Sequence, residues 1–420
     1  MMALFFIALV LLALFGMPLF AVLGAIALVA FHAAGIDITS VAVSMYTLAS
    51  SPLLVAIPLF TFAGYLFAHS KAPDRLVRLS SALFPGGLAV VALIACAIFT
   101  AFTGASGVTI IAMGGLLLPA LEKSGYDRRF NLGLLTASGS LGLLFPPSLP
   151  LILYGFVASV NVDDLFLAGL LPGTLLVIVL SVYGIHRGRS AGARHERPGV
   201  REALAAARGA AWEIPLPFVI LGGIYSGTIT VMEAAAITAV YALVVEVFVY
   251  KDIPLRRLGA ITRESMVLVG GILIILACAL GLTNYLIDAQ VPMRILGWMQ
   301  HYITSKYTFL LILNLFLLVV GCLMDIFSAL IVVVPLIVPV AVGFGVDPVH
   351  LGIIFLTNLE IGYLTPPVGL NLFISSYRFN EPVISLYRAS LPFLLLLLAA
   401  LLVITYLPAL SLALVRLGGG

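Results

Sequence analysis

Two short stretches of an otherwise apolar chain carry the residue types that could do chemistry. From Thr136 to Ser148, small hydroxyls (Thr136, Ser138, Ser140), glycines (Gly139, Gly142) and the pair Pro146-Pro147 stand close together. Proline suits the first position of a helix, where its missing N–H costs nothing, so a second half-helix is expected to begin at the Pro-Pro step. Breaking a helix frees carbonyls on one side and N–H groups on the other. Those carbonyls, with the hydroxyls of Ser138 and Ser140, suit a hard monovalent cation, while the N–H end suits an anion. The second stretch holds Thr357, Asn358, Glu360, Gly362, Thr365, Pro366, Pro367 and Asn371, and Asp325 lies upstream in a bend over Gly321 to Ser328. Ionisable groups inside apolar segments are costly and usually face a cavity or a partner. A carboxylate beside a cation site would strengthen binding or carry a proton.

The two stretches are copies of one another. Pro119/Pro339, Gly125/Gly345, Asp127/Asp347, Gly142/Gly362, Leu144/Leu364, Pro146/Pro366 and Pro147/Pro367 coincide without a gap at an offset of 220 residues. Shared leucines could reflect composition; shared Pro, Gly and Asp at fixed spacing cannot be dismissed that way. Paired broken helices in matching halves point to a binding site near the bilayer midplane. Asp127 and Asp347 fall at loop positions and read as helix caps rather than ligands.

The elements that must position these residues are membrane helices. With 62% hydrophobic and 9% charged residues and a mean hydropathy of +1.22, the chain is an integral membrane protein and not a soluble globular one. Its apolar runs have helical length, without the alternating pattern of a membrane barrel. The net charge of +3 is no nucleic-acid signal. Cys96, Cys278 and Cys322 form no metal or CxxC spacing and read as packing residues, and no role is assigned to the six histidines. No basic n-region precedes the first apolar run, so the N-terminus reads as a retained first helix.

Basic residues set the expected topology. Lys71, Arg75 and Arg78, and then Lys123, Arg128 and Arg129, flank an apolar stretch broken at Pro85-Gly86-Gly87 and at Thr103 to Gly107. A re-entrant hairpin with its tip near Ser106 keeps both clusters cytoplasmic, and its non-helical backbone must then be satisfied by protein or a water-filled cavity. Spans near 130–158, 165–186, 213–229, 231–250 and 265–288 follow. Their odd number puts Lys123–Arg129 and the Lys- and Arg-free loop 342–349 on opposite sides, which makes the repeats inverted. The expectation is an all-α polytopic protein with nine crossings, counting 42–68 and 390–414 among them, and two hairpins. The first repeat covers 1–186, with its hairpin at about 79–121 and its broken helix at about 130–158. A basic connector or interfacial helix covers 187–212, and the second repeat covers 213–420, with a hairpin at about 303–342 and a broken helix at about 350–377.

HExxH, GxGD-type and P-loop signatures are missing, which leaves secondary transport driven by an ion gradient and not enzymatic catalysis. A channel or scaffold without coupled transport is the alternative from another class.

Gly104-Ala105-Ser106-Gly107, Pro119 through Phe130 and Gly142 through Ser148, continued by Gly321–Pro339 and Gly362–Asn371, carry a resemblance. Over nearly its whole length the chain resembles the large membrane subunit, DctM type, of tripartite ATP-independent periplasmic (TRAP) transporters. The resemblance implies an elevator transporter of the ion-transporter superfamily in the bacterial inner membrane, importing an organic acid with Na+ as coupling ion and no other cofactor. It implies two partners, a small DctQ-type membrane subunit and a DctP-type periplasmic binding protein; a stand-alone sodium/organic-anion symporter of the same superfamily would need no binding protein. Carried over by position, one sodium site involves Ser106, Gly107, Ser138, Gly139 and Ser140, and the other Asp325, Thr357, Asn358 and Thr365. The substrate is then expected between them, near Gly104, Ala105, Gly142, Pro146, Gly362, Pro366 and Asn371. The sequence departs from the family pattern at Ile326 and Phe327, where smaller or polar residues are expected.

Overall fold

The computed structural model describes residues 12, 17–83, 87–190 and 200–418. The first eleven residues of the expected retained first helix, Pro85-Gly86, and the stretch 191–199 of the basic connector lie outside the described residues. The chain folds into helices α1 (Leu19–Ala33), α2 (Thr39–Ala49), α3 (Ala56–His69), α4 (Ala72–Leu83), α5 (Leu88–Thr103), α6 (Ser106–Lys123) and α7 (Arg128–Ser138). Next come α8 (Leu149–Ala158), α9 (Val162–Ser190), α10 (Val200–Gly209), α11 (Pro215–Tyr225), α12 (Val231–Leu243) and α13 (Leu255–Asp288). The rest comprises α14 (Val291–Tyr302), α15 (Lys306–Leu323), α16 (Ile326–Gly343), α17 (Pro348–Gly362), α18 (Leu370–Phe379), α19 (Val383–Tyr406) and α20 (Pro408–Gly418). Among the described residues eight helices, or up to nine spans when α7 and α8 count as one bent span, are long and apolar enough to cross a membrane.

The copied motif becomes copied geometry. Helices α6 and α16 run over Ser106–Lys123 and Ile326–Gly343, so they occupy equivalent positions, and α7 and α17 both start one residue after an aspartate. Gly125 and Gly345 adopt φ of +91° and +73°, a left-handed turn that glycine enters without steric cost. Asp127 and Asp347 then cap the helices that follow, accepting from Phe130 N and from Val349 N and His350 N. Both Pro-Pro bonds are cis.

Inversion is visible in what the two loops touch. Tyr126 packs on Gly188 near the C-terminal end of α9, whereas Tyr154, next to the start of α9, donates to the Pro348 carbonyl at 2.8 Å. The loops before α7 and α17 therefore sit at opposite ends of the same helix. Arg128 bonds to Glu122 and Glu381, and Arg129 to the Arg388 carbonyl, which gathers the starts of α7 and α19 at one end.

Several boundaries differ from the sequence reading for local reasons. The hairpin expected over about 79–121 is formed by α5 and α6, and residues 79–83 belong instead to α4. The 42–68 segment is three pieces, because Ser51 precedes Pro52 and is pushed into extended backbone (φ −74°, ψ 118°). In place of a span at 213–229, α11 has 11 residues, about 16 Å of helix at 1.5 Å per residue and short of a ~30 Å hydrocarbon core. It nonetheless pairs antiparallel with α12, since the Tyr250 hydroxyl donates to Glu213 at 3.0 Å. The 265–288 span is longer than expected, as α13 extends over 34 residues. The segment 390–414 is α19 followed, after Leu407, by the separate helix α20.

Two short helices, α4 and α14, precede the two hairpins in equivalent positions. In α4 the Arg75 guanidinium, 12% exposed, pairs with Glu213, with Glu246 at 2.8 Å and with Asp252 at 2.6 Å, and lies 3.8 Å over the Tyr250 ring. Burial opposes its charge, but the hydrogen bond to Asp252 and the charges of Glu246 and Glu213 outweigh it and hold the guanidinium above its ordinary pKa. Ile295 of α14 stands where Arg75 would be expected from the repeat and is exposed.

Candidate functional site

Hairpin 1, formed by α5 and α6, turns at Gly104, whose φ of +65° leaves no room for a side chain against Leu149. The turn sets the start of α6 against the end of α7. A Cβ on Gly139 would lie 3.3 Å from the Ser106 carbonyl, so those two candidates are in contact. Thr100 Oγ1 sits 2.8 Å from Thr109 Oγ1 and donates to the Gly139 carbonyl at 3.0 Å. Sequence reasoning missed both threonines, although each is a hydroxyl facing the tip from a hairpin arm.

The second broken helix reaches into the first. Asn371, in the first turn of α18, donates through Nδ2 to the Thr136 carbonyl at 3.3 Å and to Ser140 Oγ at 3.5 Å. Thr136 Oγ1 donates to Ser375 Oγ at 2.9 Å. Gly107 lies against Ile374 of the same helix, so hairpin 1, α7 and α18 meet in one place. Ser138 Oγ turns back to the Leu135 carbonyl, and Ala105 takes an extended conformation that starts α6 without a side-chain cap.

Hairpin 2, formed by α15 and α16, is arranged differently. Asp325 is exposed and caps α16, accepting at 3.0 Å from Phe327 N and at 3.0 Å from Ser328 N, with Ser328 Oγ on its other oxygen. The Ile326 N–H goes to the Tyr363 hydroxyl at 2.6 Å. Asp325 makes no hydrogen bond to Thr357, Asn358 or Thr365. Thr357 and Thr365 bond back to Ile353 and Ile361 one turn earlier, and Asn358 bonds to Asn314 of α15. Gly369 N donates to the Cys322 carbonyl at 3.1 Å and ties the second break to the hairpin.

Gly142 and Gly362 are contact points and not open lining. A Cβ on Gly142 would lie 2.2 Å from the Ala97 carbonyl, and one on Gly362 2.6 Å from Gly321 Cα. Pro146 borders a large apolar cavity with Phe67, Phe102, Phe145 and Phe218. Pro366 follows Thr365 on the exposed side of the second break.

The electrostatics follow from what is left unpaired. Thr103 Oγ1, Asn358 Oδ1, Asn371 Oδ1 and both carboxylate oxygens of Glu360 are buried without a hydrogen-bond partner. Glu360 stands where the first repeat has Ser140 and is 2% exposed. Buried polar atoms are nearly always satisfied, so a set of bare oxygens around two helix breaks suits an oxygen-seeking cation. Among the described residues no three His, Cys, Asp or Glu side chains are grouped so as to hold a metal ion, so a cation at the breaks would be held mainly by hydroxyl, amide and backbone oxygens. Helices α6, α8 and α18 begin without side-chain caps, while α7, α16 and α17 are capped by aspartates. Uncapped N-termini favour an anion.

Comparison with known proteins agrees on a transporter. Residues 5–410 match the family model described as the DctM component of the tripartite ATP-independent periplasmic transporter. The chain is 38% identical over 383 residues to the C4-dicarboxylate TRAP transporter large permease protein DctM of Pseudomonas aeruginosa, covering 90% of each. It is 36% identical to the protein of that name from Rhodobacter capsulatus, covering 96% of each. It is also 34% identical to the isethionate TRAP transporter permease protein DctMQ of Oleidesulfovibrio alaskensis, covering 94% of this chain and 63% of that one. In fold it is similar to the Alcanivorax borkumensis YdaH transporter, with a TM-score of 0.65 at 15% identity over 88% of this chain and 87% of that one.

Proposed function

The chain belongs to the DctM-component family of tripartite ATP-independent periplasmic transporters, and from that premise we propose that it imports an organic acid by sodium-coupled transport. Its place is then the bacterial inner membrane. Its partners are a small DctQ-type membrane subunit and a DctP-type periplasmic protein that delivers the substrate; the relative named DctMQ supports the first of these. Relatives named for C4-dicarboxylates make small dicarboxylates the first substrates to try.

The observation that carries the reading is the meeting of hairpin 1, α7 and α18. Bare oxygens at Thr103 and Asn371 beside the first break, and at Asn358 and Glu360 beside the second, are candidate ligands for sodium, and the uncapped starts of α6 and α18 offer N–H groups to a carboxylate. Sodium bound beside those N-termini adds positive charge where the anion must sit. Substrate affinity thereby depends on sodium, which is the linkage that coupled transport requires. Movement of the hairpins and broken helices as one body against α3, α12 and α13 would carry the site across the membrane as an elevator.

The test is uptake by the reconstituted chain with its small subunit and loaded binding protein. An inward sodium gradient should drive accumulation, and replacing sodium by potassium on both sides should abolish it. Undiminished uptake in potassium overturns the sodium reading, and full uptake without a binding protein turns the assignment to a stand-alone symporter.

A further inference from the structure

Five buried polar residues form a continuous chain from the start of α17 to its break. His350 lies 3.1 Å from Ser411 Oγ through Nδ1 and 3.2 Å from the Thr405 carbonyl through Nε2. Asn314 Nδ2 donates to Thr405 Oγ1 at 3.0 Å, and Asn314 Oδ1 accepts from Asn358 Nδ2 at 2.7 Å. The second proton of Asn358 Nδ2 goes to the Ile354 carbonyl at 2.8 Å. Asn314 is 3% exposed, and His350, Thr405 and Asn358 are 1% or less.

This pattern fixes which way the Asn358 amide points. Both of its N–H protons are spent, and turning the amide over would press its oxygen against the Ile354 carbonyl. Asn358 Oδ1 is therefore presented as a bare acceptor, buried and without a partner. Nothing equivalent exists in the first repeat, where Ser138 and Ile94 occupy the corresponding positions. We propose that Asn314 is a positioning residue whose hydrogen bond holds the Asn358 side-chain oxygen ready as a sodium ligand in the second repeat. The inference rests on the sodium-coupled reading above and adds to it a residue from hairpin 2 that would not itself touch the ion. Partners behind a metal ligand set its orientation, and losing one typically lowers metal affinity about 10–100-fold.

Thermal unfolding of the purified full chain, followed as sodium chloride is raised against potassium chloride at matched ionic strength, reads ion binding without transport. The wild type should be stabilised by sodium and not by potassium. Asn314→Leu should need at least about tenfold more sodium for half of that stabilisation. Asn314→Asp keeps an acceptor for Asn358 and for the Thr405 hydroxyl and adds negative charge behind the ion's ligand, so its sodium response should be no weaker than the wild type's. If Asn314→Leu does not fold, Asn314→Ala carries the same expectation. A wild-type sodium response in the Leu or Ala variant, or equal impairment in the Asp variant, overturns the positioning role. A wild type indifferent to sodium overturns the sodium reading itself, and this inference with it.

Discussion

Gly362 and Gly321 touch backbone to backbone where the second broken helix crosses hairpin 2: a Cβ on Gly362 would lie 2.6 Å from both Gly321 Cα and its carbonyl carbon. The first repeat makes the same crossing with Gly142 against Ala97 and Ala101. Neither partner is a flexible side-chain end, so the backbone itself would have to move. Gly362→Ala and Gly142→Ala should each lose about 1–3 kcal/mol of stability, the usual cost of overpacking. Gly270→Ala, with nothing within 4 Å, serves as a control that should be neutral or stabilising. Equal unfolding temperatures for all three would refute the packing role.

Removing Arg75 strands three buried carboxylates. Arg75→Met should cost about 3–5 kcal/mol, as expected when one partner of a buried ion pair is deleted. Arg75→Lys should recover part of this, because an ammonium keeps the charge but lacks the fork that reaches three acceptors. Denaturation of the two variants checks the order; a methionine variant as stable as the wild type contradicts it.

Asp325 has a cap to lose before it has a ligand to lose. Asp325→Ala should destabilise by about 1 kcal/mol, and Asp325→Asn, which can still accept from Phe327 N and Ser328 N, by much less. Sodium titration of both variants tells the roles apart. A weakened sodium response in Asp325→Asn at unchanged stability would place the carboxylate at the ion and not at the helix end.

Glu360→Gln keeps the shape of a side chain whose two oxygens have no partner and removes its capacity for charge. Burying an unpaired charge is costly, so the variant should be as stable as the wild type or more so in sodium-free buffer. A loss beyond about 1 kcal/mol, the scale of one hydrogen bond, would reveal a partner for the carboxylate.

Local rules wrote the repeated architecture into the sequence. Asp127 and Asp347 as caps and a break at each Pro-Pro step depend on neighbours a few residues away, which is why type and spacing sufficed to expect them, although the half-helices begin at Leu149 and Leu370 and not at the prolines. The Ser106–Gly139 contact was likewise legible, because a hairpin tip and a broken helix must satisfy each other's backbone. Arg75 read as one more loop cation; its burial depends on Glu213, Glu246 and Asp252, which approach only when α4 packs on the α11–α12 pair. Asn314 carried no signal, since an asparagine in an apolar run gains meaning only from the partner folded against it, here Asn358 of another helix. Asp325 was visible as a carboxylate, but whether it faces an ion or closes a helix end is a matter of side-chain direction. Backbone geometry is a short-range property that residue type dictates. The pairing of buried polar groups is long-range and is decided by which helices pack together.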